Sequence, residues 1–412
     1  MKTVSLSLLI KDQKGATAVL VTVIIIMLLG FAALAIDISN IFVANNELQN
    51  AADAAALAGA RFLYNDSGTS VNVNCNQIAR DAAIANNAEG VPVEVNWSGG
   101  NSGDIQRGHW SFASRVFTPN DSTSPVDLWN VSDDVLDADL NFINAVQVTV
   151  RREATPITSY FAKIFGHESF EKSASAIAYI GFTGTLRPED VDQPIAICRE
   201  SILKDGAYSC NIGRMINSGE NVSSSETGGW TSFNQDNPCT GGTNAQEVRS
   251  LICGNGNPDS IKLGEAVATN GGEIQTAFDR LVSCWETASS DKTVPWNLTL
   301  VVVTCPGNNI SVCEEVVGAV NVNIIWITGA GTDPQYNGAP TQMGDWSDTS
   351  PDGQVRWGSF VNYFHLQNVD GSPAPYAKKS IYFLPDCSEH ELSGTTGGEN
   401  FGILARIPVL VK

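Results

Sequence analysis

The stretch Lys14–Phe62, KGATAVLVTVIIIMLLGFAALAIDISNIFVANNELQNAADAAALAGARF, decides how the rest of the chain is organised. From Ala16 to Ile36 it runs for 21 residues without a charge. At about 1.5 Å of rise per residue, a helix of that length reaches across the roughly 30 Å of a bilayer's hydrocarbon core, so a transmembrane helix is expected. No proline follows before Phe62, and Ile41, Ala44, Leu48, Ala51, Ala55, Ala58 and Phe62 keep an a/d heptad spacing. The same helix should therefore leave the membrane without a break, as one rod. Seven of the ten residues 51–60 are alanine, which favours helix and leaves a thin surface that other backbones can approach closely. Either the chain's own domain or a partner helix could cover that surface.

The 412 residues are too many for one ordinary domain and suit two after the anchor. With 24 Lys and Arg against 44 Asp and Glu, the net charge of -20 would repel a phosphate backbone, which excludes nucleic acid as the expected partner. Such acidity fits a solubility role in an exported protein. Nine cysteines, eight of them between Cys198 and Cys387 in Gly-, Asn- and Ser-rich sequence, point to an oxidising compartment. Lys2, Lys11 and Lys14 precede the apolar run, and no Lys or Arg follows it until Arg61. By the positive-inside tendency, Lys11 and Lys14 set the orientation, with the N-terminus cytoplasmic and the bulk periplasmic or at the cell surface. The run is longer than the core of a signal peptide and the helix continues in phase, so retention as a single-pass anchor is expected.

Lys14-Gly15-Ala16, the apolar run, Ala35-Ile36-Asp37-Ile38 and the block Leu48-Gln49-Asn50-Ala51-Ala52-Asp53-Ala54-Ala55-Ala56-Leu57-Ala58-Gly59-Ala60 occur in that order. Together they resemble the N-terminal segment of TadE/TadG-like proteins of the Flp (Tad) pilus-assembly systems, most strongly over residues 11–62. Weaker similarity to TadG-like proteins runs through residues 154–179 and 261–305. The resemblance implies a non-enzymatic, membrane-anchored component in the inner membrane, a pseudopilin, minor pilin or anchor. Its stripe from Ile41 to Phe62 would pack against pilin or pseudopilin subunits and the assembly machinery. It also implies a pilin-like arrangement in which the long helix lies on an antiparallel sheet. Prepilin-type processing would cut after Gly15, but Leu20 stands at the fifth position of the mature chain, where such substrates carry Glu, and this argues against cleavage.

The expected class is α+β: an N-terminal transmembrane helix continuing onto an antiparallel sheet, then a β-rich, disulfide-bonded module. The expected segments are a cytoplasmic 1–14, a transmembrane 15–37, an α+β domain 38–183, a linker 184–193 and an outer module 194–412. A second helix is predicted at Asn74–Ala88, and strands at 91–97, 110–117, 144–152 and 169–182. Thr155-Pro156 should open a short helix to Phe165. Beyond the linker, strands are predicted at 195–198, 298–304, 320–328, 381–384 and 401–411, the last broken by Pro408 and so at an edge, with a helix at 272–285. Sequence alone does not reveal cysteine connectivity. Close spacing favours Cys198 with Cys210, Cys239 with Cys253 and Cys305 with Cys313, which leaves Cys284 with Cys387 and Cys75 single.

No constellation for catalysis emerges, so neither an enzyme nor a cofactor is expected. His109, His167, His365 and His390 sit in different segments without zinc spacing, and Cys387 with His390 offers only half a site. No GxSxG elbow, phosphate loop or dinucleotide fingerprint occurs. Asp133, Asp134, Asp137 and Asp139 cluster, yet an EF-hand loop from Asp137 would need Gly and Glu where Phe142 and Val148 stand. A solvated acidic face is the simpler reading. Some TadG-like proteins carry a von Willebrand A domain with a DxSxS metal motif, but Asp345-Trp346-Ser347-Asp348-Thr349 lies in polar, turn-rich sequence late in the chain and is expected to be a loop. Trp230, Trp285, Trp296, Trp326, Trp346 and Trp357 offer two readings. They would either plug the outer core or, exposed in loops, hold a surface protein or glycan as a membrane-tethered adhesin.

Overall fold

The computed structural model describes residues 13–65, 70–124, 126–204, 207–210, 212–217, 228–271, 274–306, 310–329, 336–368, 370–386, 388 and 390–412. Lys11 and Cys387, both singled out above, lie outside the described residues.

Helix α1 (Gln13–Arg61) is continuous through the apolar run and the alanine block. Among the described residues it is long and apolar enough to cross a membrane, and none of its apolar window is buried. Burial begins at Asp37 and deepens through the alanine block. Ala44, Leu48, Ala51, Ala52, Ala55, Ala56 and Ala60 are fully buried, packed with Ala79 and Ala83 of α2 (Cys75–Ile84) and with Val146, Val148, Val150, Ala176 and Ala178 of a sheet. That sheet has five strands. From one edge it runs β2 (Val116–Pro119), β1 (Ile105–Ser111), the central β3 (Ala145–Thr158) and β4 (Ser169–Tyr179), all antiparallel. The predicted strand 110–117 is in fact the turn of the β1–β2 hairpin with its flanks.

The small residues of α1 are explained by what lies against them. A Cβ on Gly59 would sit 2.9 Å from Ala79 Cβ and 3.0 Å from Val146 Cγ1, so the helix is held between α2 and the sheet at near backbone contact. This revises the heptad stripe. Ala44, Leu48, Ala51 and Ala55 face the chain's own sheet rather than a partner, Ile41 and Ala58 are half-buried, and Phe62 is exposed. A straight α-helix drifts about 20° per heptad relative to a 3.5-residue repeat. Over three heptads the buried stripe therefore moves off Phe62 and onto Gly59, Ala60 and Leu63.

The β3–β4 pairing contains a local insertion. Register runs to Arg152 opposite Lys172 and resumes at Ile157 opposite Phe170, leaving residues 153–156 bulged out. The helix predicted from Thr155 does not form. Pro156 sits in the bulge, β3 continues to Thr158, and only a 3-10 turn at Ala162–Phe165 follows, at the hairpin tip. Tertiary pairing with β4 overrides the local capping signal.

The outer part is built on a seven-stranded sheet of β5 (Ile195–Cys198), β6 (Arg214–Asn217), β7 (Gly228–Thr231), β8 (Ala266–Asn270), β9 (Trp296–Val303), β10 (Cys313–Thr328) and β11 (Ser380–Pro385). Its pairing path closes on itself. β10 meets β8, then β7, β5 and β9, and β9 returns to β10, with β11 and β6 added on β10's other half. Helices α3 (Gln275–Ala288) and α4 (Gly353–Tyr363) contribute Phe278, Leu281, Trp285, Trp357 and Phe360 to its main core. The C-terminal strand Val409–Leu410 returns to the first sheet and pairs with β4 at its edge, with Pro408 at the break.

The disulfides differ from the close-spacing pairs. Cys198 joins Cys305, Cys239 joins Cys313 and Cys253 joins Cys284, and Cys75 is free and buried. Cys210 is also disulfide-bonded. The reason is topological: Cys198 ends β5 and Cys305 lies two residues past the end of β9, and these adjacent parallel strands bring the two together although 107 residues separate them in sequence. Burial pushes the Cys75 thiol up to about 11.

Two outcomes are expected. Peptide mapping of unreduced protein should recover 198 linked to 305, 239 to 313 and 253 to 284, and paired Ser replacement at 253 and 284 should cost roughly 2–4 kcal/mol. Gly59→Ala should destabilise the head by about 1–3 kcal/mol in urea unfolding of the full chain in detergent. Ala54→Arg, on the exposed side of α1, should change it by no more than about 0.5 kcal/mol.

Candidate functional site

The surface that separates this chain from an ordinary α+β protein is the uncovered half of α1 together with the head around its exit. Val19, Leu20, Ile26, Leu28, Leu29, Phe31 and Leu34 are all exposed, a contiguous apolar surface of the kind that marks a membrane or protein contact. On the head side, the first charge after the run is Asp37, and it is buried. Its carboxylate accepts hydrogen bonds from the backbone N–H groups of Tyr160 (2.7 Å), Phe161 (3.0 Å) and Ala162 (2.5 Å) and from the Ser159 hydroxyl (3.2 Å). These N–H groups open the 3-10 turn at the tip of the β3–β4 hairpin and have no strand partner. Asp37 therefore caps the turn and ties the hairpin tip to the end of the apolar run.

A second carboxylate holds the same hairpin lower down. Glu94 accepts from the backbone N–H groups of Glu153 (3.1 Å), Ala154 (2.7 Å) and Thr155 (2.7 Å) and from the Thr155 hydroxyl (2.5 Å), the donors that the bulge frees from β4. Partial burial pushes the Glu94 carboxyl up, but the Thr155 hydroxyl and the three N–H groups outweigh it and hold it at about 2. Beside it, Arg151 grips Asp104 through two hydrogen bonds of 2.8 Å. Sequence reasoning missed Glu94, since nothing local to it marks a bulge some sixty positions on. Asp37 was visible as the sole charge at the end of the run, but its partners were not.

The other residues singled out from sequence fall elsewhere. Asp137 caps the β1–β2 turn, accepting from the N–H groups of Phe112 and Ala113 and the Ser111 hydroxyl, and Asp139 accepts from Asn141. Asp133, Asp137, Tyr179, Phe182 and Gly397 line a cavity of about 550 Å³ beside the returning C-terminal segment. Burial, together with Glu399 and Asp134 nearby, pushes the Asp133 carboxyl up. No group of three or more His, Cys, Asp and Glu side chains among the described residues is placed to hold a metal ion. His109 lies buried with its ring nitrogens 2.8 Å from the carbonyl oxygens of Phe142 and Asp137, whereas His390 meets Asp386 at 3.1 Å. Asp345 stands in the turn of a tight hairpin, Gln342–Ser347. Trp230, Trp285, Trp326, Trp346 and Trp357 are buried in the outer core and Trp296 is half-buried, so the reading in which Trp-rich loops present a binding surface loses its residues.

A long helix, apolar and bare at one end and packed on an antiparallel sheet at the other, defines an α+β protein with one helix long and apolar enough to cross a membrane. Residues 15–61 match the family described as Flp pilus-assembly TadE/G-like, and residues 44–178 match the family described as Tad-like Flp pilus-assembly. Over residues 15–178 the chain is therefore similar to Tad-like Flp pilus-assembly proteins. The second match spans α1's alanine block through β4, the unit that Asp37 and Glu94 hold together. No curated protein and no solved structure matches the chain.

The Glu94 interactions predict a defined acid response. The folded value near 2 lies below the ordinary 4.5, so its contribution is complete above about pH 4.5 and is lost as pH falls towards 2. Glu94→Gln should therefore unfold more easily than wild type at pH 6, and the gap should close between pH 4.5 and 2, as followed by circular dichroism during urea titration.

Proposed function

We propose that this chain is a non-enzymatic, single-pass component of Flp/Tad pilus assembly, with a TadG-like role as an anchor or minor, pilin-like subunit. Its N-terminus is cytoplasmic, α1 crosses the inner membrane over about residues 15–37, and the acidic, disulfide-bonded head lies in the periplasm or at the cell exterior. The observation that carries this reading is the division of α1: its alanine face is consumed by its own head, while residues 17–36 are covered by nothing except a partial contact at Ala33. The family matches over residues 15–178 agree with it.

Partners then meet a different face from the heptad stripe. Ile38, Phe42 and Val43 continue the exposed apolar surface beyond the run, and they are the contact positions for pilin or pseudopilin helices. Leu20 in place of the usual Glu fits an uncleaved chain that stays in the membrane.

A photo-crosslinking residue at Phe42 should give adducts with pilus components in assembling cells, and one at Ala55, which is buried, should give none. Adducts from Ala55 alone would overturn the assignment of faces. Intact mass of the membrane-derived protein should show a chain not cut after Gly15; a chain beginning at Ala16 and recovered from sheared fibres would make it a processed minor pilin.

A further inference from the structure

The β3–β4 hairpin tip carries the two most exposed large apolar side chains among the described residues, Ile164 at 75 % and Phe165 at 79 %, next to Tyr160 at 56 % and Phe161 at 37 %. Nothing in the head requires them. Ser159 and Ile157, just below, are buried and anchor the tip, and the chain turns back through Gly166 in a left-handed conformation with φ 90°.

The position of this tip is fixed. Asp37 takes three of its N–H groups, and Asp37 directly follows the apolar run. Of residues 17–36 only Ala33 is half-buried, one helical turn and so about 6 Å before Asp37, on the face that continues to Asp37 and Ala44. The tip thus lies beside the last turn of the span, at the depth where hydrocarbon gives way to headgroups. A turn that offers aromatic rings and an aliphatic side chain, with Lys163 among them and its own N–H groups already satisfied by a carboxylate, suits that layer.

We infer that the β3–β4 hairpin tip is a second membrane contact: Tyr160, Phe161, Ile164 and Phe165 enter the interfacial layer of the outer leaflet, with Lys163 at the phosphates. This rests on α1 crossing the bilayer as proposed above. The occupant is lipid rather than a partner protein because the tip is continuous with the span and level with its end. The consequence is mechanical. With α1 and the tip both held by the bilayer, the head is fixed in tilt as well as in height, and the rest of the head is presented at a set angle to neighbouring subunits.

The test uses the full chain in phosphatidylethanolamine and phosphatidylglycerol vesicles, with single cysteines at Phe165, Ile25 or Val355 labelled with an environment-sensitive fluorophore. Cys75 is buried with its thiol pushed up to about 11, so the unmutated chain serves as the unlabelled control. Spin-labelled lipids then report depth. The probe at 165 should shift to the blue and lose most of its emission to labels placed high on the acyl chain. The probe at 25 should be quenched by deep labels, and the probe at 355, on the exposed face of α4, should be quenched by neither. If 25 is quenched by deep labels but 165 behaves like 355, the tip contact is wrong while the anchor stands. If 25 is not quenched at all, the anchor reading fails and the tip contact falls with it.

Discussion

Everything in the first half of this protein depends on how closely α1 approaches its neighbours. Ala51, Ala52, Ala55, Ala56, Gly59 and Ala60 bring the helix axis in until Gly59 has no room for a methyl group between Ala79 and Val146. Close-packed interiors transmit strain and resist volume change, so a helix seated this tightly acts as a rigid extension of the sheet. The apolar end of the same helix is then held in direction by the head, with no linker between them.

Two carboxylates complete that coupling by serving backbone donors that the sheet leaves over. An unpaired buried N–H costs free energy comparable to a lost hydrogen bond. The bulge at residues 153–156 and the tip at residues 160–162 leave six N–H groups without a strand partner. Glu94 takes three and Asp37 takes three. Because Asp37 stands at the end of the apolar run, meeting the hairpin's hydrogen-bond needs also fixes where the hairpin stands relative to that run.

The outer half is held differently. Its strands close into a ring, its tryptophans fill the core on one side, and disulfides join segments that are adjacent in space and distant in sequence. The strand Val409–Leu410 brings the chain back to the first sheet, so the outer half is fastened at both ends, by the connection after β4 and by this returning edge.

By itself the sequence determined the continuous helix, its apolar and alanine halves, the α+β class, most strands of both sheets and the family resemblance, because these depend on periodicity, composition and local order along the chain. Only the tertiary structure decided which face of α1 is consumed, since a straight helix at 3.6 residues per turn drifts off a heptad stripe and a sheet covers a wider arc than one partner helix. It also decided the cysteine pairs, which follow strand adjacency rather than spacing, and it turned the Thr155-Pro156 signal into a bulge because β4 competed successfully for the segment. The roles of Asp37 and Glu94 were hidden for the same reason. A carboxylate's function here is set by donors more than a hundred residues away in one case and about sixty in the other, and only the fold brings them within hydrogen-bonding distance.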